Sequence, residues 1–260
     1  MLRQALIKRQ KDAGFRWRSH EISRVEGLCD AVFAFAVTLL VVSLEVPRTF
    51  GELKEALHGF VPFAICFAML YQIWYAHFVW FRRYGLQDAI TVVLNGALLF
   101  VVLFYVYPLK FMFTYLMNLL TGGGGMARMP NGRLEHMLGP GDGYSIMVIY
   151  DAGFIAVFGV FILLYVHAWR NRELLELDAN ERFETGARIG ANLCMAAVGA
   201  LSLAIVLIGG EERVGTAGMA YFLIGPLVTV YYSVAGKRKR KITAAASARA
   251  DSATAAHDAG

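Results

Sequence analysis

The sequence has little charge for its length. Asp, Glu, Lys and Arg make up 17% of the 260 residues, whereas a soluble domain has about 25%. The hydrophobic share is 57%, and 13 of the 25 Lys and Arg residues lie before residue 25 or after residue 236. The middle of the chain is therefore more apolar than the average. This composition excludes an ordinary soluble enzyme and a disordered regulator, and it indicates a polytopic membrane protein.

Cysteine is also scarce. Cys29, Cys66 and Cys194 are far apart, and no Cys-x-x-Cys motif occurs. An odd number of distant cysteines excludes a disulfide-stapled secreted domain and suggests three buried thiols. The N-terminus lacks the short apolar region and small-residue cleavage site of a secretory signal. We therefore interpret residues 1–26 as a retained basic arm on the cytoplasmic side.

Long apolar segments dominate the rest of the chain. A bilayer core about 30 Å thick needs roughly 20 apolar residues in a helix. The sequence predicts an all-α protein in which one membrane domain, residues 27–236, has six spans. The six spans cover about residues 27–46, 60–81, 89–109, 144–169, 189–208 and 214–235.

The positive charges predict the orientation of these spans. When the connecting segments are assigned alternately to the two sides, one side receives 19 Lys and Arg residues and the other receives 6. Because the positive side faces the cytoplasm, both termini are expected there. This topology explains the isoelectric point near 9.1 without a nucleic-acid partner.

Three segments outside the spans have their own composition. Residues 110–120 are consistent with either an interfacial helix or an extension of the third span. Residues 121–143 contain four successive glycines and two Pro-Gly-rich runs, so we expect a flexible loop. Residues 237–260 consist of a polybasic run followed by an Ala-rich tail that we expect to be disordered. The polybasic run acts as a topology signal or binds anionic headgroups.

Polar residues inside the spans are the candidate functional residues. Asp30 lies in the first span, and a carboxylate at that depth needs a partner or water. Arg24 lies six residues earlier and faces a different side of the helix. Trp74 and His77 lie three residues apart near the same end of the second span, and both can donate hydrogen bonds. Asp30 is therefore expected to contact one of these three residues.

Two motifs resemble the transmembrane protein 175 family of potassium channels. Residues 24–40 are similar to that family's Arg-x-x-x-Phe-Ser-Asp motif and the apolar run after it. Their sequence is Arg-Val-Glu-Gly-Leu-Cys-Asp-Ala-Val-Phe-Ala-Phe-Ala-Val-Thr-Leu-Leu. Trp74-Tyr75-Ala76-His77 matches the family's Trp-x-x-His motif, and the run 95–108, which ends in Tyr-Pro, is similar to its third helix. The resemblance covers about the first 110 residues.

The resemblance implies a potassium-permeable channel that needs no cofactor and catalyses no reaction. Prokaryotic members have one six-helix repeat per chain and assemble as homotetramers in the plasma membrane, with the first helix of each subunit lining a central pore. The family's narrowest layer maps onto Phe35, and its hydroxyl layer maps onto Thr38. Leu39 and Val42 would extend the hydrophobic constriction. These four residues also form one stripe of a helix.

The resemblance further implies a buried polar network beside the pore helix, formed by Arg24, Asp30, Trp74 and His77. The sequence departs from the family pattern at Leu28-Cys29, where the motif has Phe-Ser. It also departs at Phe35, where the constriction residue is usually Ile or Leu. Four phenylalanine rings at one level would close a narrow pore unless the rings rotate aside, although their faces attract cations.

Two other functions remain open on the residues alone. An ion- or proton-coupled transporter could use Asp30 and Asp151 as carriers, but the inverted repeats typical of such proteins are not evident. A membrane redox protein could hold haem between two histidines at matching depth. Only His77 and His167 qualify, because His58 lies at the opposite end of the second span.

Overall fold

The computed structural model is a bundle of helices with one short hairpin. It describes residues 15–19, 21–42, 49–51, 53, 59–128 and 133–239. The helices are α1 (Arg24–Val42), α2 (Phe60–Tyr84), α3 (Ala89–Leu120), α4 (Asp142–Arg170), α5 (Ala179–Gly209), α6 (Val214–Ala220) and α7 (residues 224–239). Single 3₁₀ turns, Gly210–Arg213 and Tyr221–Leu223, join α5 to α6 and α6 to α7.

Four helical stretches of the described chain are long and apolar enough to cross a membrane. They are Phe60–Tyr84, Ala89–Leu120, Asp142–Arg170 and Ala179–Lys239. The last stretch has 61 residues, about 90 Å at 1.5 Å per residue, which is far longer than one bilayer crossing. The 3₁₀ turn Gly210–Arg213 divides this stretch between the fifth and sixth predicted spans. The prediction of an all-helical membrane protein is confirmed at this level.

The predicted third span proves too short. We placed its end at residue 109, but α3 runs without a break to Leu120 and contains Pro108. Residues 110–120 therefore extend this helix and do not form a separate interfacial one. Packed neighbours and local adjustment allow a proline inside a membrane helix.

Local sequence signals fix where the helices begin and end. Gly85 ends α2 in the left-handed conformation, at φ 61°, and its N–H donates to the Phe81 carbonyl. Asp88 caps α3 by accepting a 2.8 Å hydrogen bond from the backbone N–H of Thr91. Asp178 and Glu181 form a reciprocal capping box at the start of α5. Each cap satisfies backbone groups that the helix itself leaves unpaired.

One large apolar core joins α1, α2, α3 and α4. Helix α1 packs on α2 and α3, whereas α4 packs along α5 and against α3. Large apolar side chains also cover the outside: Val93, Phe100 and Phe104 on α3 are between 67% and 72% exposed. Such a surface suits contact with lipid.

Arginines and lysines gather at one end of the bundle, which we call the basic end. This end of the bundle contains the ends of α2, α4 and α7 and the start of α5. The basic residues named here are Arg18, Arg82, Arg83, Arg170 and Lys239. The first and last described segments therefore lie at the same end of the bundle.

The basic arm is partly built into this end. Phe15 is completely buried, and the backbone N–H of Arg18 donates to the Arg82 carbonyl over 2.9 Å. The Arg18 guanidinium lies 2.6 Å from the carboxylate of Glu181, which is itself buried. Residues 15–19 thus belong to the packed domain that we predicted to begin at residue 27, because an aromatic ring and a buried ion pair hold them in place.

The segment 121–143, predicted as a flexible loop, contains a short hairpin, and its residues 129–132 lie outside the described part of the chain. Strands β1 (Met126–Arg128) and β2 (Leu134–His136) pair antiparallel within it. The side chain of Asn118, in the last turn of α3, accepts from the Gly125 N–H and donates to the Met126 carbonyl, each over 2.8 Å. These bonds tie the hairpin to the helix, and glycine composition alone did not reveal them.

Candidate pore-lining face of the first helix

Helix α1 has two different faces. Its buried face consists of residues spaced alternately by three and four, and this spacing places them on one side of a helix. The members of this inner face are Glu26, Cys29, Phe33, Ala36 and Leu40, each at most 3% exposed. They pack against α2 and α3 of the same chain.

The opposite face of α1, which we call the outer face, is exposed and carries no charge after Arg24. Three pairs of residues on it are separated by seven positions. The exposed members of this outer face are Leu28 with Phe35, Ala31 with Thr38, and Ala34 with Val41. Phe35 is 56% exposed. No described part of the same subunit covers this strip.

The predicted pore stripe coincides only partly with the outer face. Phe35 and Thr38 lie on it, whereas Leu39 is half-buried at its edge. Val42 is the last residue of α1, and its side chain lies outside the described part of the chain. The sequence analysis did not assign Ala34 and Val41 to this face, although the seven-residue spacing could have revealed them.

Thr38 is oriented by its own helix. Its hydroxyl donates a 2.7 Å hydrogen bond to the backbone carbonyl of Phe35, one turn earlier. The hydroxyl proton is therefore engaged, and the oxygen lone pairs remain available as acceptors. Threonine on an exposed helix face can in this way offer oxygen to a cation without exposing an unpaired donor.

Asp30 lies beside the outer face and is held from the second helix. The indole Nε1 of Trp74 donates to Asp30 Oδ1 over 2.8 Å. The carboxylate lines one end of a groove of about 390 Å³ between α1 and α2, whose other walls are apolar. A charged hydrogen bond at the edge of an apolar groove is stronger than the same bond in water.

The other predicted network members do not reach Asp30. His77 is fully buried, and its Nε2 lies 2.7 Å from Asn95 Oδ1 on α3. The His77 ring packs beside Phe33 of α1, with ring centroids 5.9 Å apart, but its Nε2 points to α3 and not to Asp30. Arg24 is exposed, and among the described residues nothing joins it to Asp30. The expected four-residue network is therefore two separate pairs, Asp30 with Trp74 and His77 with Asn95.

The two histidines considered for haem both have their Nε2 atoms engaged. His77 donates to Asn95, as described above, and His167 lies 2.7 Å from the carboxylate of Asp88. Burial raises the pKa of Asp88, but hydrogen bonds from Thr91 and His167 outweigh burial and leave the pKa below its usual value. Within the described residues, no cluster of His, Cys, Asp and Glu could hold a metal ion.

Asp151 forms a second buried polar cluster, far from α1 in the chain. It is completely buried in α4. Its carboxylate accepts from Tyr221 over 2.6 Å and from Ser202 over 3.1 Å. Ser202 and Tyr221 come from α5 and from the turn after α6, so Asp151 joins three consecutive helical elements.

Comparison with known proteins identifies the family. A curated protein of Marivirga tractuosa, named a potassium channel, is 40% identical over 237 residues, which cover 88% of this chain and 93% of that protein. The family model described as "Endosomal/lysosomal potassium channel TMEM175" matches residues 24–105. The chain belongs to the TMEM175 family. The resemblance inferred from the motifs is thereby confirmed.

Solved structures agree with this TMEM175 assignment. A crystal structure of a threonine-to-alanine variant of the potassium channel MtTMEM175, in complex with a nanobody–MBP fusion, has a TM-score of 0.74 and 39% identity. It covers 87% of this chain and 99% of that one. A lysosomal potassium-selective channel TMEM175 homologue from Chamaesiphon minutus shares the fold at a TM-score of 0.52 and 22% identity, over 84% of this chain and 99% of that one.

The part of the chain that matches the TMEM175 family model contains the candidate site. Residues 24–105 comprise α1, α2 and the first half of α3. Asp30, Phe35, Trp74 and His77 all lie within this range. The Asp151 cluster lies outside it.

Proposed function

We propose that the chain is a potassium-permeable channel in which four copies surround a central axis. Each copy contributes one repeat of six spans, and its α1 helix lines the pore. The basic end faces the cytoplasm of a prokaryotic cell, in agreement with the distribution of positive charge. The names of the relatives support potassium as the permeant ion, since the Marivirga tractuosa protein is named a potassium channel and its match covers most of this chain.

The exposed outer face of α1 is the observation that carries this proposal. The inner face is fully used by packing within the subunit, whereas the outer face is covered by nothing in the described chain. It is uncharged from Leu28 to Val41. A closed ring of four such faces would bury these residues and would leave a narrow passage between the helices.

Phe35 is proposed as the narrowest point. Its ring is more than half exposed, near the middle of the outer face. Four apolar rings at one level expel water, and a dewetted constriction blocks ions without a charged plug. Rotation of the rings or tilting of the helices would open the passage. Ring faces turned toward the axis would then attract a cation.

Thr38, Leu39 and Val42 are proposed to continue the passage away from the basic end. The Thr38 residues of the four copies supply a ring of hydroxyl oxygens. Because each hydroxyl proton already bonds to the Phe35 carbonyl, the oxygen lone pairs remain available to a cation. Leu39 and Val42 extend the apolar wall. Potassium is held weakly by such a layer, as conduction requires.

The Asp30–Trp74 pair is proposed as a positioning element. The hydrogen bond links α1 to α2 one turn before Phe35, so it fixes the rotation of the pore helix. Arg24, at the exposed start of α1, is placed to contact a neighbouring copy, and His77 with Asn95 holds α2 to α3. These residues would govern assembly and gating more than the choice of ion.

The decisive experiment measures ion flux through purified protein in liposomes. We expect K⁺ to pass faster than Na⁺, and the rate to rise linearly with ion concentration. Saturating flux that depends on a counter-ion would favour a coupled transporter. A visible Soret absorption band in the purified protein would favour the haem alternative.

Assembly is tested separately by cross-linking. A Phe35→Cys variant in a Cys194→Ser background places one new thiol on the outer face, while Cys29 and Cys66 remain buried. Oxidation should join copies in pairs if the four outer faces meet. A Phe100→Cys variant, on the exposed side of α3, is the matched control and should not cross-link.

A further inference from the structure

The proposed pore does not use the buried Asp151 cluster. Asp151, Ser202 and Ala217 are completely buried, and they belong to α4, α5 and α6 respectively. Tyr221, in the turn after α6, completes the cluster through its hydrogen bond to Asp151. Asp151 lies about 13 Å along α4 from the first residue of that helix, and Arg170 at the basic end lies about 29 Å further on. The cluster is therefore in the half of the bundle away from the basic end.

Among the described residues, no charged group pairs with Asp151. Its side-chain interactions are with Tyr221 and Ser202, and both of these are neutral hydroxyl groups. The titratable groups that face it are tyrosines: Tyr105 from α3, Tyr150 from α4 itself, and Tyr221. A carboxylate that is buried without a counter-charge normally takes up a proton, because water no longer stabilises its negative charge.

The surroundings of the cluster keep water and other charges away from Asp151. The Tyr221 ring packs against Tyr150 and Phe154, with ring centroids 5.2 and 5.0 Å apart, and both of these residues are less than 10% exposed. Glu211, in the 3₁₀ turn before α6, accepts from the backbone N–H of Tyr144 in the first turn of α4. The other charged residues of that turn, Glu212 and Arg213, are exposed.

The hydrogen atoms of the cluster do not suffice if Asp151 is ionised. Tyr221 Oη lies 2.6 Å from Asp151 Oδ1, and Ser202 Oγ lies 3.1 Å from Asp151 Oδ2. Ser202 Oγ also lies 3.1 Å from the Ala217 carbonyl oxygen. Each of these three contacts needs one hydrogen, but the two hydroxyl groups supply only two. If both hydroxyls donate to an ionised Asp151, as described above, the Ala217 carbonyl loses the Ser202 hydrogen.

The Ala217 carbonyl needs that hydrogen. In a continuous α-helix its donor would be the N–H of Tyr221, four residues later. Here the Tyr221 N–H donates to the carbonyls of Gly218 and Met219 instead. Buried backbone carbonyls are almost always paired, and the Ser202 hydroxyl provides the partner. The hydrogen between Ser202 and Asp151 must then come from Asp151.

We propose that Asp151 binds a proton, which the fold holds as a structural ligand joining α4 to α5 and α6. The acid O–H on Oδ2 donates to Ser202 Oγ, and the Ser202 hydroxyl donates to Ala217. The Tyr221 hydroxyl donates to Oδ1, so every contact has one hydrogen and no charge is buried. Loss of the proton breaks this chain of bonds at Ser202 and releases the turn that holds α6. All the contacts lie within one subunit, so the proposal does not depend on the pore.

Infrared spectroscopy of the purified protein detects the proton directly. The C=O stretching band of a protonated carboxyl group is separate from the bands of ionised carboxylates and of the peptide backbone. We expect wild-type protein to show this band at neutral pH and Asp151→Asn to lack it. Asp142→Asn is the matched control, because it removes an exposed carboxyl group from the same helix, and it should retain the band. Ser202→Ala should move the band to higher frequency, since the acid O–H loses its acceptor.

Thermal unfolding in detergent tests the structural role of the proton. The Asn amide donates to Ser202 and accepts from Tyr221 as the neutral acid does, so Asp151→Asn should unfold close to wild type at about pH 6, whereas Asp151→Ala should unfold at a lower temperature. The unfolded chain releases the proton into water, so rising pH favours unfolding of wild-type protein by up to about tenfold in the equilibrium constant per pH unit. Asp151→Asn has no such proton to lose. Between about pH 6 and pH 9, the melting temperature of wild type should therefore fall more than that of Asp151→Asn, by up to roughly 3–5 °C per pH unit.

Four results would overturn the proposal. Identical infrared spectra of wild type and Asp151→Asn would mean that Asp151 is ionised. Failure of Asp151→Asn to fold would contradict it too, because the amide reproduces every contact of the neutral acid. Parallel pH dependence of the two proteins would show that no proton is held. Stabilisation of wild type but not of Asp151→Asn by Na⁺ or K⁺, at constant ionic strength, would indicate a bound cation in place of the proton. None of these measurements uses ion flux, so their failure is distinct from failure of the proposed channel function.

Discussion

The two faces of α1 differ in what explains their sequence. On the inner face, Phe33 and Leu40 are at most 3% exposed and pack against helices of the same subunit. On the outer face, Leu28 and Phe35 are 59% and 56% exposed. From residue 28 onward both faces are apolar, so hydropathy does not separate them. The inner face thus serves the fold of one subunit, whereas no described part of that subunit covers the outer face.

Substitution on the inner face should therefore affect folding first. Phe33→Ala removes a ring that packs in the core beside His77, with ring centroids 5.9 Å apart. We expect a loss of about 3–5 kcal/mol in unfolding free energy, the usual range for a buried phenylalanine. Thermal unfolding in detergent and the yield of monodisperse protein measure this loss.

The outer face of α1 provides the control for that experiment. Phe35→Ala removes the same ring from the same helix, two residues away, but from the outer face. Its unfolding free energy within one subunit should change by less than about 0.5 kcal/mol, as for other surface substitutions. Equal destabilisation by both variants would contradict the division into two faces.

The Asp30–Trp74 hydrogen bond, at the boundary between the faces, should give an intermediate effect. Trp74→Phe keeps an aromatic ring but removes the indole N–H that donates to Asp30. A hydrogen bond to a charged group contributes about 1.5–3 kcal/mol, so this variant should lose stability in that range. Asp30→Ala should likewise lower the yield of assembled protein more than it alters ion selectivity.

The matched control for this bond is Tyr75→Phe, at the residue after Trp74. It removes the hydroxyl of a side chain that is 51% exposed. It should have almost no effect. A double variant that combines Asp30→Ala with Trp74→Phe should be less destabilised than the sum of the two single variants. Strict additivity would show that the two groups act independently.

The sequence was sufficient for the features that depend on spacing along one helix. Hydropathy located the membrane-spanning stretches α2, α3 and α4, and two short motifs identified the family. The Trp74 contact with Asp30 followed from depth and donor chemistry. These inferences succeeded because a helix converts sequence spacing directly into geometry.

Contacts between distant segments were not accessible in the same way. The packing of Phe15 and Arg18 against α2 and α5 depends on how three distant chain segments meet, and composition carries no signal for it. His77 was assigned to Asp30 because it lies at the right depth. A rotation of about 60° along α2 directs it to Asn95 instead. Depth could be read from the sequence, but direction around the helix required the neighbouring helices.

A substitution on the outer face should change conduction instead of folding. Phe35→Ala should raise K⁺ leak through liposomes about tenfold, equivalent to lowering the barrier by about 1.4 kcal/mol, because the dewetted constriction widens. Discrimination between K⁺ and Na⁺ should weaken at the same time.

Phe100→Ala is the control for the leak. It removes an equally exposed ring from α3, on a surface suited to lipid, and should leave the flux unchanged. Wild-type flux in Phe35→Ala would mean that Phe35 points away from any central axis, and the outer face would then be an ordinary lipid-facing surface.

The smallest expected effect is at Thr38, on the same outer face one turn beyond Phe35. Thr38→Val keeps the shape of the side chain but removes the oxygen that the Phe35 carbonyl holds in place. Because closure depends on the apolar ring at Phe35, leak in the closed state should hardly change. The K⁺ to Na⁺ permeability ratio should fall about threefold, since a hydroxyl layer contributes less than about 1 kcal/mol of difference between two similar cations. Bi-ionic potential measurements give this ratio directly.

Thr38→Ser restores the oxygen without the methyl group and should recover most of the ratio. If Thr38→Val and Thr38→Ser behaved alike, the hydroxyl would not contact the permeating ion, and selectivity would have to arise from the apolar ring alone.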